Sequence, residues 1–484
     1  MKENDNKKIN WTICLECHGQ GKIMRGPSKK RIRLYREKLN ALDMNEGGGI
    51  PLKPLNENLD ICLYCAGSGL LVSDSITKIN SKNYPKIAII GGGIGGVALA
   101  VACLHRGIPF ILYERDESFD ARSQGYGLTL QQASKAIEGL GILSLSGGIT
   151  SSRHVVHNPD GKIIGEWGLR KWKKPLSEKS SKRKNVHISR QSLRSVLIDQ
   201  LGDCESLKWG YKLIDFSQNR NGSVDLNFQV EGKKETTKAD LVVGADGIRS
   251  VVRKLLISED TNPLQYLGCI VILGICPLKS LGGIESPLLD SATVFQTVNG
   301  HERIYMMPYD DDTIMWQLSF PMSEVKAKEL SDKGAKAMKD EALIRLQNWH
   351  DPILQILVAT LKSQITGYPV YDRKLLDPNL LKEVGSATLI GDAAHPMSPF
   401  KGQGANQALL DALNLARKIS IECGADSKWR EKGLRISVLD KFEKEMTSRT
   451  ASKVQDSAKA VGLLHSNAVM HEGDEPRGRG LSVG

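Results

Sequence analysis

Two cysteine pairs near the N-terminus have the residue types and spacing of a metal site. Residues 14–21 and 62–69 both follow the pattern C-x-x-C-x-G-x-G. Four thiolates from two such pairs suit a tetrahedral structural Zn²⁺, and the glycines allow the backbone to turn beneath the metal. Redox-active dithiols are the alternative interpretation. The predicted metal ligands are Cys14, Cys17, Cys62 and Cys65.

A glycine loop is the second feature with chemical meaning. Residues 91–96 read G-G-G-I-G-G, which fits G-x-G-x-x-G at Gly91, Gly93 and Gly96. The first glycine permits a tight turn, the second lets backbone approach a pyrophosphate, and the third lets a helix pack on a strand. Glu114 follows at about the spacing of a carboxylate that binds ribose hydroxyls. The residues predicted to contact a dinucleotide here are Gly91, Gly93, Gly95, Gly96, Glu114 and Arg115.

This loop has the flanking elements that it needs. An apolar strand, Lys86–Ile90, leads into it, and a helix over Val97–Arg106 and a second strand over Pro109–Tyr113 follow it. The helix N-terminus offers free N–H groups and the positive end of its dipole to phosphates. We therefore predict dinucleotide binding, with a ligand-free glycine turn as the alternative. The loop alone does not distinguish NAD from FAD.

Two later segments each place an aspartate just after a buried strand. The first reads D-L-V-V-G-A-D-G-I-R-S and contains Asp246, and the second reads T-L-I-G-D-A-A-H-P and contains Asp392. A carboxylate at such a point can accept hydrogen bonds from a sugar or polyol hydroxyl. Gly402 and Gly404 stand at the start of the next helix, where backbone N–H groups can face an anionic ring edge.

These three motifs, in this order, resemble the class A, aromatic-hydroxylase-like flavoprotein monooxygenases over about residues 85–465. In that family the glycine loop holds the ADP half of FAD, the D-G segment serves FAD and nicotinamide binding, and the G-D segment contacts the ribityl chain. The resemblance implies that Glu114 binds the adenosine ribose and Asp392 the ribityl chain. The other cofactor contacts that the resemblance implies are Arg122, Arg190, Asp246, Pro399, Gly402, Gly404 and Asn406. For Arg122, the alternative interpretation is an ordinary surface arginine without a cofactor contact.

The resemblance also implies the reaction. NAD(P)H and O2 would serve to add an oxygen atom to an aromatic or polycyclic small molecule, with FAD supplying the oxygen chemistry. The F-E-K-E-M segment and a long C-terminal helix resemble the tetracycline-inactivating, polycyclic-substrate branch. No catalytic side chain is predicted, because a structural role beneath the flavin is the favoured interpretation for His395. The alternatives are a halogenase or reductase, and a flavin-containing binding protein that acts through its zinc module.

The cysteine repeat itself resembles the zinc-binding motif of DnaJ-type chaperones, over eight residues at each place. The long spacing between the pairs implies an inserted basic helix. The whole chain has a net charge of +11, and the segment Lys22–Lys38 carries eight Lys/Arg residues and one acid, Glu37. A solvated helix face is the favoured interpretation of this segment, with a surface for nucleic acid or another polyanion as the alternative. Both pairs lie outside the flavin motifs, so metal removal is expected to leave the flavin bound.

The predicted fold class is α/β. It comprises a Rossmann-like FAD-binding domain, an inserted antiparallel-sheet substrate domain, a long C-terminal helix and a small N-terminal zinc-binding appendage. The apolar run Ile87–Cys103 is broken by glycines and too short for a membrane span. A polar N-terminus and scattered cysteines indicate a reducing, cytoplasmic protein. The predicted boundaries are 1–80 for the zinc module with its basic segment, 85–255 and 385–420 for the FAD-binding domain, 256–380 with part of 120–180 for the substrate domain, and 437–467 for the C-terminal helix.

Overall fold

The structure is a computed structural model that describes residues 9–25, 32–37, 58–121, 125–131, 133–145, 147–168, 186–202, 205–219 and 222–477. Its strands, in chain order, are β1 (Asn10–Ile13), β2 (Lys22–Arg25), β3 (Asn58–Ile61), β4 (Leu70–Ser73), β5 (Ile87–Ile90), β6 (Phe110–Tyr113), β7 (Gly127–Leu130), β8 (Ile149–Thr150), β9 (Arg153–His157), β10 (Ile163–Trp167), β11 (Val186–Ser189), β12 (Leu207–Lys208), β13 (Lys212–Gln218), β14 (Val224–Val230), β15 (Lys233–Ala239), β16 (Leu241–Gly244), β17 (Gln265–Pro277), β18 (Thr293–Val298), β19 (Arg303–Asp310), β20 (Thr313–Pro321), β21 (Ile365–Asp372) and β22 (Ala387–Leu389).

The α-helices are α1 (residues 32–37), α2 (Ile94–Leu104), α3 (Ser134–Gly139), α4 (Arg190–Leu201), α5 (Val251–Leu256), α6 (Glu324–Asp332), α7 (Gly334–Leu346), α8 (Ile353–Ala359), α9 (Gly404–Glu422), α10 (Trp429–Lys432) and α11 (Asp440–Leu464). A π-helical turn, Arg435–Leu439, leads into α11. In the part of the chain that the structure describes, no helix is both long and apolar enough to cross a bilayer.

A five-stranded parallel sheet organises the flavin motifs. Its strand order is β12-β6-β5-β16-β22. Strands β5 and β16 are buried at every residue, as expected of a parallel sheet with both faces covered. Glu114, Gly91, Asp246 and Asp392 come just after four adjacent strands, β6, β5, β16 and β22. The carboxyl edge of one sheet therefore gathers motifs that are far apart in the sequence, and the predicted α/β class is confirmed.

A seven-stranded, mainly antiparallel sheet forms the second layer of the molecule. Its order is β10-β9-β18-β19-β20-β17-β21, with β9 and β18 as a parallel pair. Side chains from one face, such as Ile304 and Trp316, form a core with α7 and α8. On β19, the alternating residues Arg303 and Tyr305 lie on the other face, which lines a cavity.

Helix α11 is tied to the parallel sheet by a buried carboxylate. Glu443 accepts a hydrogen bond from the Thr388 hydroxyl of β22 at 2.7 Å and one from Arg435 at 2.6 Å. Burial raises the pKa of Glu443, and the nearby Arg435 opposes that rise. The F-E-K-E-M segment thus has a structural role, because its first glutamate fixes the long C-terminal helix against β22.

The N-terminal module is built from two short antiparallel ribbons. Strand β1 pairs with β4, and β2 pairs with β3. Each ribbon joins a segment beside the first cysteine pair to one beside the second. The pairing therefore brings the two C-x-x-C-x-G-x-G turns face to face.

Candidate cofactor cavity and cysteine centre

A cavity of about 1230 Å³ separates the parallel sheet from the seven-stranded sheet. On the parallel-sheet side its lining includes Gly93 and Asp392, and on the other side it includes Arg303 and Gln317. The cavity therefore joins the predicted cofactor motifs to one face of the sheet in the predicted substrate domain.

The glycine loop has the geometry that its spacing predicts. Gly91 has a φ of +108°, and a Cβ there would lie 2.6 Å from the Ala245 carbonyl oxygen. A Cβ on Gly96 would lie 1.9 Å from the Gly91 carbonyl oxygen. By contrast, no heavy atom lies within 4 Å of the Cβ position at Gly93, the N-cap of α2. Open space at this helix N-terminus fits a phosphate group.

Glu114 lies beside this loop with its carboxylate fixed. The side chain is 7% exposed, and it accepts hydrogen bonds from the Gly92 N–H at 2.6 Å and from the Asp116 N–H at 3.0 Å. Each oxygen keeps a further lone pair with which it can accept from a ribose hydroxyl. Arg115 is exposed next to it. Arg122 lies outside the described residues.

Arg190 and Asp392 both line the cavity. Ser189 caps α4 by accepting the Ser192 N–H at 2.8 Å, which places Arg190 at the first helical position. The Arg190 guanidinium donates to the Tyr126 hydroxyl at 3.3 Å. Tyr126 and, to a smaller extent, Asp392 raise the pKa of Arg190 against the opposing effect of burial. The structure thus brings together two predicted cofactor contacts that are far apart in the sequence.

Asp246 has a local role that the motif alone did not reveal. Its carboxylate accepts the N–H of Val251 at 2.7 Å and that of Val252 at 3.3 Å, together with the Ser250 hydroxyl. It therefore organises the start of α5, and burial raises its pKa. The serine that follows the D-G pair, a capping residue before an apolar run, was the available signal. Contact between Asp246 and a cofactor stays a prediction.

The loop after the G-D motif forms another part of the cavity wall. Pro399, Gly402 and Gly404 all line it, and Gly402 is in the left-handed conformation with a φ of +59°. A Cβ on Gly404 would lie 3.4 Å from a carboxylate oxygen of Asp392. The backbone that opens α9 thus passes close to the predicted ribityl contact.

Asn406 holds this loop in place through all the polar atoms of its side chain. It is 1% exposed, and its oxygen accepts the N–H groups of Gln131 at 2.9 Å and Ala133 at 3.2 Å. Its amide nitrogen donates to the carbonyls of Thr129 and Gly402, both at 2.9 Å. We therefore interpret Asn406 as a positioning residue that joins two loops around the cavity.

His395 belongs to a buried network behind the same loop. Its Nε2 lies 2.6 Å from Oδ2 of Asp411, and that oxygen also accepts the Gly391 N–H at 2.8 Å. Arg449 donates to the other oxygen at 2.7 Å. Burial alone would raise the pKa of Asp411, but His395 and Arg449 outweigh it and lower that pKa. This network supports the structural interpretation of His395.

Arg303 is a cavity residue that no sequence motif had singled out. It is 6% exposed; its Nε donates to Gln296 at 2.8 Å, and its guanidinium lies 4.9 Å from the centre of the Tyr305 ring. Burial lowers its pKa to about 10. It forms no ion pair with any carboxylate of the described residues. An arginine at the start of a largely apolar strand was the available signal.

The four predicted metal ligands converge in one buried cluster. Their sulfur atoms all lie within 4.8 Å of one another. Cys14 and Cys62 are 3.9 Å apart at Sγ, and Cys17 and Cys65 are 3.7 Å apart. The N–H groups of Gly21 and Gly69 donate to the sulfurs of Cys17 and Cys65 at 3.1 and 3.2 Å. The donor set and these N–H···S bonds fit four thiolates around a tetrahedral ion.

The glycines of this centre cannot be replaced without strain. Gly19, Gly21, Gly67 and Gly69 all have positive φ angles. A Cβ on Gly21 would lie 2.1 Å from the Gly67 carbonyl oxygen, and one on Gly69 would lie 2.3 Å from that of Gly19. The two turns therefore pack against each other in the same way from both sides. The repeated C-x-x-C-x-G-x-G sequence therefore reflects the same backbone conformation in both turns.

Similarity to known proteins extends over most of the chain. It matches the family described as FAD binding domain over residues 84–365 and 381–430. It is 31% identical over 341 residues to the aurachin C monooxygenase/isomerase of Stigmatella aurantiaca, covering 69% of this chain and 81% of that protein.

Two solved structures share the fold. One is Klebsiella pneumoniae HpxO complexed with FAD and uric acid, with a TM-score of 0.63, 20% identity, and coverage of 78% of this chain and 88% of that one. The other is the tetracycline destructase Tet(51), with a TM-score of 0.54, 20% identity, and coverage of 80% of this chain and 92% of that one. The chain belongs to the FAD binding domain family and is an FAD-dependent enzyme of the monooxygenase type.

Proposed function

We propose that the protein uses NAD(P)H and O2 to oxygenate an aromatic or polycyclic small molecule. The observation that carries this proposal is a cavity lined on one side by the cofactor motifs and on the other by the face of a separate sheet. FAD, when bound, supplies the oxygen chemistry. The side chains of this protein bind and orient the cofactor and the substrate, and they exclude water.

The cofactor would lie along the carboxyl edge of the parallel sheet. The open space at Gly93 would take the pyrophosphate, and Glu114 the adenosine ribose. Asp392 would accept from the ribityl chain. Backbone at Gly402 and Gly404 would border the flavin ring, since both residues line the cavity. Asn406 contributes indirectly, because it fixes the position of Gly402.

The substrate side of the cavity favours an anionic or strongly accepting group. The Nε of Arg303 donates to the side chain of Gln296. The two terminal nitrogens of the guanidinium carry further N–H donors that a ligand can use. A buried cation without a carboxylate partner is costly unless something neutralises it. A carboxylate, phenolate or enolate on the substrate would do so. Uric acid, which is bound in the HpxO complex, is also an acidic heteroaromatic compound.

The test is product analysis of the FAD-loaded enzyme. A library of aromatic and polycyclic acids, supplied with NADH or NADPH and ¹⁸O2, should yield a product that carries one labelled oxygen atom. Cofactor oxidation with stoichiometric product supports the proposal. Substrate reduction without label would indicate a reductase, and halide-dependent substitution would indicate a halogenase; either result would overturn it.

We also infer that Cys14, Cys17, Cys62 and Cys65 bind one structural Zn²⁺. Four protein ligands leave no open coordination position, so the metal would have no part in the reaction. Four thiolates also need a reducing compartment, which supports a cytoplasmic location. Elemental analysis of protein purified with zinc present should find one equivalent, and less than half an equivalent would reject the site.

A further inference from the structure

We propose that the cysteine module is a metal-dependent support for the FAD-binding domain, held in place by Arg106 and Arg417. This inference rests on the zinc centre proposed above and is independent of the monooxygenase reaction. It reverses the expectation from the sequence, in which metal removal leaves the flavin bound. Two features support it, namely the contacts of the two arginines and the position of their helices relative to the cavity.

Both arginines contact the backbone of the cysteine turns. Arg417 donates through Nη2 to the Ser68 carbonyl at 2.7 Å, and its own carbonyl accepts from the Gln20 side chain at 3.0 Å. Arg106 donates through Nη2 to the Gly19 carbonyl at 3.4 Å. Arg417 therefore contacts both C-x-x-C-x-G-x-G segments, and Arg106 contacts the first.

A metal centre at the four cysteines would complement the positive charge of this contact. Neither Arg106 nor Arg417 forms an ion pair with a carboxylate of the described residues, and the Nε atom of each is buried without a hydrogen-bond partner. Four thiolates around Zn²⁺ leave two net negative charges, and the two guanidinium groups offset them. Without the metal, the buried Arg106 and the half-buried Arg417 would lack this compensation, which is unfavourable.

An apolar contact adds to the docking. Trp11, in β1, is 6% exposed and packs on Gly141, where a Cβ would lie 2.6 Å from the indole nitrogen. The module therefore has a packed interface with the FAD-binding domain.

The two arginines connect the module to helices that begin at the cofactor cavity. Arg106 follows the end of α2, whose start at Gly93 and Ile94 lines the cavity, and Arg417 lies on α9, whose first residue, Gly404, also lines it. At the rise of an α-helix, about 20 Å separates each arginine from the cavity end of its helix. The metal is therefore too far away for chemistry but supports two rigid elements that hold cofactor loops.

The helices also contact each other beside the cavity. A Cβ on Gly95 of α2 would lie 3.4 Å from the Ala408 side chain of α9. If undocking shifted either helix at its far end, the other would have to adjust at this close crossing, because packed interiors leave little free space. Loss of the metal should therefore reach the cavity as weaker FAD binding.

The test uses the full-length, zinc-loaded, FAD-loaded protein under reducing conditions. Zinc is removed with a chelator, and FAD affinity is measured by flavin fluorescence alongside thermal unfolding and zinc content. We expect zinc removal to weaken FAD binding by at least about tenfold and to lower the melting temperature. Unchanged FAD affinity after verified zinc loss would overturn the proposal. This test uses the wild-type protein, so it does not depend on the folding of a variant.

Variants then test the role of the arginines. The double change Arg106→Gln and Arg417→Gln should weaken zinc binding by at least about tenfold, because it removes the compensating charges, whereas Lys418→Gln, a neighbouring cation on α9, should not. If the double variant does not fold, the single Arg417→Gln variant replaces it, with a smaller loss in the same direction. Zinc binding equal to that of the wild type in folded arginine variants would contradict the charge compensation. Zinc content below half an equivalent in the wild type would instead reject the zinc centre itself.

Discussion

The Nε2 atom of His395 lies 2.6 Å from Oδ2 of Asp411, and both side chains are buried behind the G-D motif. Because Asp411 also accepts the Gly391 N–H, this pair joins α9 to the turn that carries Asp392. The position of a predicted cofactor contact thus depends on a hydrogen-bonded pair outside the cavity.

Asp411→Asn should lower the stability of the protein by about 3 kcal/mol, because it leaves Arg449 and His395 without their buried anion. The lowered pKa of Asp411 adds a pH signature. Its contribution is present above the unfolded carboxyl pKa of about 3.9 and is lost as the pH falls towards the folded value. Urea unfolding between pH 7 and pH 3 should show a smaller loss of stability in the variant than in the wild type. Asp426→Asn, at an exposed aspartate, is the control and should match the wild type.

Asp392→Ala should weaken FAD binding while the fold is retained. A charge-assisted hydrogen bond from a ribityl hydroxyl is worth about 1.5–3 kcal/mol, so the expected loss of affinity is roughly 10–150-fold. Flavin fluorescence titration measures the affinity, and Asp426→Ala serves as the control. FAD affinity equal to the wild-type value would show that Asp392 has another role.

The purified protein should be yellow and should release FAD, and not FMN, on denaturation. The reason is the fixed carboxylate of Glu114 beside the glycine loop. Its remaining lone pairs can accept from ribose hydroxyls, and only FAD carries an adenosine ribose. Chromatography of the released flavin distinguishes the two. Recovery of FMN, or of no flavin after reconstitution, would contradict both Glu114 and the glycine loop as cofactor contacts.

Arg303→Gln should raise the KM for an anionic substrate by about tenfold or more while FAD affinity stays the same, because a hydrogen bond to a charged group contributes about 1.5–3 kcal/mol. Once a substrate is known, steady-state kinetics with it and with its neutral ester or amide measure the difference. The variant should discriminate less than the wild type between the acid and its neutral analogue. Lys326→Gln, at an exposed lysine of the same domain, is the control. An equal loss for both compounds would indicate a packing role for Arg303.

The sequence by itself determined the glycine loop, because the conformational and steric requirements of its glycines are local. Gly91 must adopt a positive φ and Gly96 must leave room for a carbonyl, and such constraints fix residue type and spacing within a few positions. The cysteine turns follow the same rule, which explains why the sulfur cluster could be predicted from two octapeptides. Burial of β5 and β16 was also predictable, because their apolar runs are typical of central parallel strands.

Only the tertiary structure decided how polar side chains far apart in the sequence are used. Asp246 follows a buried strand, as its motif predicts, yet its carboxylate is held by the start of α5. Arg417 and Ser68 meet across 349 positions of the chain, and no local pattern predicts such a contact. The direction of a polar side chain depends on which elements pack around it, and that packing follows from the burial of apolar surface throughout the fold.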